Sequence, residues 1–172
     1  MRMFAAAASA ALLIVMPLAV GAHSTSGQDL TPEGRGAYLA VAGANNLFMV
    51  KAAEIAREKA RRPEVRQFAE SMLAERQQDI EQLLDTARAG GLEAFPPGMM
   101  PMHWQMLRRL ERTSASRFDQ VYVDQQIEVL EVALELHRNF FANGNGTRFK
   151  AFAQAAWPEA SALLEQARQL EN

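Results

Sequence analysis

The chain has no cysteine, three histidines and two tyrosines in 172 residues, and nowhere does it alternate apolar and polar positions for a useful length. Without cysteine there are no disulfides, thiolate metal sites or cysteine nucleophiles, and no lipid-modified N-terminus, which needs a cysteine at the cleavage point. Without period-two alternation, strands are not expected. No glycine-rich phosphate loop lies between a strand and a helix, and Ser114 and Ser116 have no histidine-acid arrangement readable beside them, so no catalytic residue is expected and the protein reads as a non-enzyme. Charge of one sign is also lacking. Eighteen Lys and Arg stand against 20 Asp and Glu, net −2, which gives no footprint for nucleic acid.

What is present begins with an address. "MRMFAAAASAALLIVMPLAVGAHS" places Arg2 before an apolar run and small residues at Val20 and Ala22, the layout of a secretory signal over residues 1–22. An uncleaved anchor is the alternative, since the run approaches the roughly 20 residues that span a bilayer. Cleavage after Ala22 leaves a polar, disordered segment at 23–30 and a single domain at 31–172, in the periplasm. A mature N-terminal His23 would offer an amine and an imidazole to Cu(II).

The rest is helical in pattern. Thr31, Pro32 and Glu33 look like a helix start, and apolar positions from Tyr38 to Ala60 keep helical spacing, with Gly43 and Asn45-Asn46 as possible interruptions. Pro63 opens a second helix with Val65, Phe68, Met72, Ile80, Leu83 and Ala87 on one face, closed by Gly90-Gly91. A short amphipathic piece, Met102 to Glu111, sets Trp104, Leu107 and Leu110 on one side. A longer helix, Ser116 to Ala142, shows a solvated stripe of Asp124, Glu128, Glu131, Glu135 and Arg138 opposite Tyr122, Val129, Ala133, Leu136 and Phe140. After "NGNG", Thr147 caps a last helix that Pro158 should kink. Four long helices and a short one predict an all-α four-helix bundle.

Three segments carry a resemblance: "EVRQFAESMLAERQQDIEQL", "RFDQVYVDQQIEVLEVALEL" and "FKAFAQAAWPEASALLEQARQL". Together they resemble a bacterial envelope family of unknown function, number 4142 of the domain-of-unknown-function series, over Tyr38 to Leu170. The resemblance implies a ferritin-like four-helix bundle and an exported location. It implies no established activity. Members of that family carry carboxylate and imidazole groups where this chain has Met49, Glu75-Arg76, Leu130 and Leu163. Guanidinium has no acceptor and leucine offers no lone pair, so the polar cluster the resemblance implies cannot be assembled here. Nor does either downstream histidine complete a Glu-x-x-His pair: Met100 precedes His103 and Leu134 precedes His137 by three residues. A ferritin-like di-metal oxidase is thus the weakest reading.

Arg76 falls between Met72 and Ile80 on an apolar face. It reads as an edge arginine carrying its charge to solvent or to a glutamate, with a buried ion pair as the sharper alternative and no partner readable. His137 reads as a hydrogen-bonded histidine at the core edge.

One stretch remains. Four of the nine methionines fall between Met99 and Met106, with His103 and Trp104 among them. Thioether sulfur favours Cu(I) or Ag(I), a neutral imidazole completes such a site, and the Trp104 face can lie against the cation. The candidate donors are Met99, Met100, Met102, His103 and Met106. The plainer reading is a lid, since methionine also fills irregular gaps over a core. The sequence therefore supports an exported non-enzymatic bundle protein with no cofactor, acting by binding or as an envelope stress or structural protein, through an unidentified protein partner or self-association, with a periplasmic Cu(I)- or Ag(I)-binding protein as the alternative. Membrane contact is expected only through an uncleaved signal.

Overall fold

A computed structural model of the chain describes residues 34–94 and 96–171. The expected signal, the segment 23–30 expected to be disordered, the expected Thr31 cap, His23 and Phe95 lie outside the described residues. Five helices and no strand are found among those described: α1 (Arg35–Lys59), α2 (Pro63–Ala89), α3 (Pro101–Arg112), α4 (Phe118–Asn143) and α5 (Thr147–Gln169). The all-α bundle expected from apolar periodicity is the architecture observed.

Local chemistry sets the breaks. Pro63 sits at the first position of α2, where its missing N–H is harmless, and Glu64 follows in the positive first turn. Gly90 ends α2 with its N–H on the carbonyls of Thr86 and Ala87. A side chain at Gly90 would drive into the Phe149 ring, so close approach calls for glycine there, while Gly91, at φ 74°, supplies the left-handed backbone of the turn. α1 runs unbroken through Gly43 and Asn45-Asn46. Gly43 is there for clearance: a Cβ on it would lie 2.8 Å from Pro97, where the linker crosses the helix. The expected Thr147 cap is not made. Gly146, at φ 85°, takes the cap position, Thr147 is the first helical residue, and no side chain bonds the helix start. A left-handed φ suits glycine and penalises threonine, which decides the register by one residue. α5 continues without interruption through Pro158.

α1 and α2 pack as one antiparallel hairpin and α4 and α5 as another. The hairpins meet with α1 antiparallel to α4. Tyr38 near the start of α1 stacks on Phe140 near the end of α4 at 4.0 Å, while the N–H groups of Arg61 and Arg62 donate to the Asp119 carboxylate at 2.9 and 2.8 Å at the opposite end. Arg62 closes the far seam by donating to the Leu170 carbonyl at 2.8 Å. The second and third long helices are therefore parallel diagonals, and the chain must travel the length of the bundle between them. α3 makes that crossing along α1, with His103 stacked on Phe48 at 5.2 Å and Lys59 donating to the Glu111 carbonyl at 2.7 Å.

The core has two parts. The larger contains Phe48, Met49, Met72, Tyr122, Leu130 and Leu163, and the smaller contains Tyr38, Leu83, Phe140 and Phe149 near the α2–α3 linker end. A half-open apolar cleft of about 200 Å³ lies beside the smaller cluster, between Leu39, Leu83, Leu84 and Pro97. Asp119 is the clamp at the other end, because its two oxygens satisfy two backbone donors ahead of α2. Replacing Asp119 with alanine should lower stability by about 2 kcal/mol. Thermal unfolding followed by circular dichroism should show a drop of roughly 4–8 °C, with Asp119→Asn losing less.

Candidate functional site

Between the two apolar clusters the bundle is polar. α1 contributes Asn45 and Asn46, α2 contributes Arg76 and Asp79, and α4 contributes His137, all buried. Arg76 is 3 % exposed and places Nη1 2.5 Å from Asp79 Oδ2, with Glu75 at 3.7 Å from Nη2. The expected edge arginine is thus corrected: the charge is inside, one helical turn from its acid. The helical frame puts Asp79 on the inner face, and Ile80, expected there, is only partly buried. Burial raises the Asp79 carboxyl above its ordinary value, against the pull of Arg76.

His137 accepts or shares a hydrogen bond with Tyr38, Nδ1 to Oη at 2.9 Å. Burial, and then the positive charge of Arg76, push the imidazole down to about 4, so it is neutral at pH 7. Burial, and then the Asp79 charge, raise the Tyr38 phenol far above its ordinary value, so it keeps its proton. With the phenol protonated and the ring neutral, the tautomer sets the roles: Tyr38 donates to Nδ1 when the ring proton is on Nε2, and accepts when it is on Nδ1. Several buried polar atoms here and nearby on α4 have no hydrogen-bond partner among the described residues: Arg76 Nε, Asn45 Nδ2, the Tyr122 hydroxyl and both amide atoms of Gln126.

Met49, Leu130 and Leu163, read as replaced polar positions, are all buried, as is Arg76. The four positions do point inward. Among the described residues, no three His, Asp or Glu side chains come together as a cation site. The residues present therefore do not fit a ferritin-like di-metal centre: a fixed guanidinium stands in the polar layer, and the other positions are apolar.

The methionine-rich segment divides. His103 is 1 % exposed, its ring on Phe48 and its Nδ1 without a partner, and burial lowers its proton affinity so that the ring is neutral. Met99 and Met106 are half-buried against the larger core cluster, and Met100 is partly exposed. Met102 and Trp104 are 41 % and 50 % exposed, away from the core. The structure gathers Met99, His103 and Met106 on one side and leaves Met102 and Trp104 on the other. His103 joins Leu107 and Leu110 as the buried face of α3, as its helical spacing allows, while Trp104, expected on that side, stays outside.

Sequence reasoning missed Asn45, Asn46 and Asp79 as interior groups, whereas Gln126, on the inner flank of its helix with Leu130 and His137, is buried as that spacing implies. Asp79 carried a usable signal, three residues from Arg76 on the same face. The asparagines did not, because polar residues among alanines look like solvent face or a break.

The sequence profile described as "Domain of unknown function (DUF4142)" matches residues 21–170. No curated protein and no solved structure matches the chain.

Removing one partner of the buried pair leaves the other charge uncompensated. Asp79→Leu should therefore lose about 3–5 kcal/mol in urea unfolding, and the double change Arg76→Met with Asp79→Leu should recover most of it. His137 gives a pH signature. The folded ring takes a proton only near pH 4, whereas the unfolded ring does so near 6.5, so the unfolded state binds more protons in that interval. The His137 contribution is intact above about pH 6.5 and is lost as pH falls toward 4, amounting to about 3 kcal/mol. Unfolding free energies measured across that window should fall more steeply for the native protein than for His137→Gln. Equal slopes would mean that the imidazole is not held neutral.

Proposed function

Since the chain belongs to the DUF4142 family, whose description assigns no activity, we propose that it is an exported, non-catalytic helical bundle on a ferritin-like scaffold, working in the envelope by binding. The crossover between the second and third long helices supports that scaffold, because ferritin-like bundles use one such connection. The single observation that carries the non-catalytic reading is Arg76. A permanently charged guanidinium in the central layer repels a divalent cation, and Met49, Leu130 and Leu163 supply no oxygen or imidazole to offset it. The layer is built to hold helices in register.

The runner-up reading is a soft-metal binder. His103 favours it: the imidazole is buried, neutral and without a partner at Nδ1, and Met99 and Met106 pack against the same core cluster. On this reading the donors reduce to Met99, His103 and Met106, with Met100 at the edge and Met102 outside.

Two measurements separate the readings. The purified protein, exposed to Fe(II), Mn(II) or Zn(II) and desalted, should retain far less than one ion per chain. A tightly held equivalent would end the non-catalytic reading. Anaerobic Cu(I) competition with a chelator should show no better than micromolar affinity under the leading reading. Under the runner-up, affinity is tighter and is lost in His103→Ala and in Met99→Leu with Met106→Leu. Export is checked by fusing residues 1–30 to a reporter active only outside the cytoplasm.

A further inference from the structure

Helix α3 buries His103, Leu107 and Leu110 and turns its other side outward. At 100° per residue, Gln105, Arg108, Arg109 and Arg112 form the outward row, with Trp104 beside Arg108 on one flank and Met102 beside Arg109 on the other. All six are exposed. Met102 and Trp104 account for two of the four exposed large hydrophobic residues described. Arg108, Arg109 and Arg112 have no acidic partner within ion-pair distance among the described residues, although seven ion pairs are made elsewhere. Lys59 adjoins the row through the Glu111 carbonyl. On a chain of net charge −2 this is a local excess of unneutralised positive charge.

We propose that this outward face of α3 is a docking surface for an anionic phospholipid bilayer. Arginine attracts lipid phosphate, and a half-exposed tryptophan on one flank with a methionine on the other suits the headgroup boundary, where an amphipathic side chain keeps both environments. Two apolar side chains are too few to bind a neutral bilayer, so the interaction depends on surface charge. Orientation is fixed by the rest of the molecule, since the α4 stripe of Asp124, Glu128, Glu131 and Glu135 would be repelled. A nucleic acid would use the arginines but gives Met102 no role. The helix lies along the surface rather than across it: no described helix is long and apolar enough to cross a membrane.

The test uses the full chain carrying Trp157→Phe, so that Trp104 is the sole tryptophan and the N-terminal segment is silent. Vesicles of phosphatidylcholine containing phosphatidylglycerol should shift Trp104 emission to the blue in a salt-sensitive way, and vesicles of phosphatidylcholine alone should not. Combining Arg108→Gln, Arg109→Gln and Arg112→Gln should weaken binding about 100-fold with the helical circular dichroism unchanged. The proposal is overturned by an absent shift, by equal binding to both vesicles, or by indifference to the arginine changes. It is equally overturned if duplex DNA competes at comparable concentration through the same arginines.

Discussion

A guanidinium taken out of water needs an acceptor within reach, and Arg76 finds Asp79 one turn further along its own helix. Both are buried, so the pair does not merely decorate a surface of α2; it fixes which surface of α2 is inside. The remaining helices accommodate that choice. α5 presents the small residues Ala153, Ala156 and Ala160 to the interior, and α1 offers Asn45 and Asn46. Long polar side chains facing small ones keep an interior filled without overpacking. His137 then sits under the field of Arg76 and is stable as a neutral ring, which shares one hydrogen bond with the Tyr38 hydroxyl.

The pair also explains why the core is split. Apolar contacts alone would allow α1 and α2 to slide by one turn, exchanging alanine for alanine, since α1 buries Ala42, Ala44, Ala52, Ala53 and Ala56. A polar layer at one height resists that slip, because a displaced α2 would carry Arg76 and Asp79 together away from Asn45, Asn46 and His137 and against apolar side chains such as Met49 or Leu130. Such specificity comes at a loss of stability relative to an all-apolar layer. The unpartnered Arg76 Nε, Asn45 Nδ2 and Gln126 amide belong to the same compromise.

How much of this was visible beforehand differs by kind of feature. Helix number and extent follow from apolar spacing and from Pro63 and Gly90, and the helices fall close to where those residues put them. Phase at single-residue precision does not follow. In α3 both His103 and Trp104 are compatible with the stripe through Leu107 and Leu110, and only packing on Phe48 selects the histidine. At Thr147 the strong capping propensity of threonine lost to the left-handed backbone that Gly146 permits. Arg76 was legible as an anomaly, but its burial depends on volume supplied by a helix some 80 residues later, which periodicity cannot report. The family resemblance located four interior positions, Met49, Arg76, Leu130 and Leu163, without saying what would replace their chemistry.

Interior and exterior thus divide the work unequally. A protein whose middle carries a fixed cation, a neutral histidine and alanines has little there with which to recognise anything, and its central layer is committed to register. The groups left uncommitted are on the crossover: three arginines that make no ion pair among the described residues, two exposed apolar side chains and, on the buried side of the same short helix, a neutral histidine, with Met106 on that helix and Met99 just before it half-buried against the core. A crossover is also where such groups can change with least damage, since α3 packs through only three buried residues while the four long helices hold one another. On the proposed reading, a buried layer that serves register leaves the scaffold intact, and binding falls to the connection that any bundle of this topology must make.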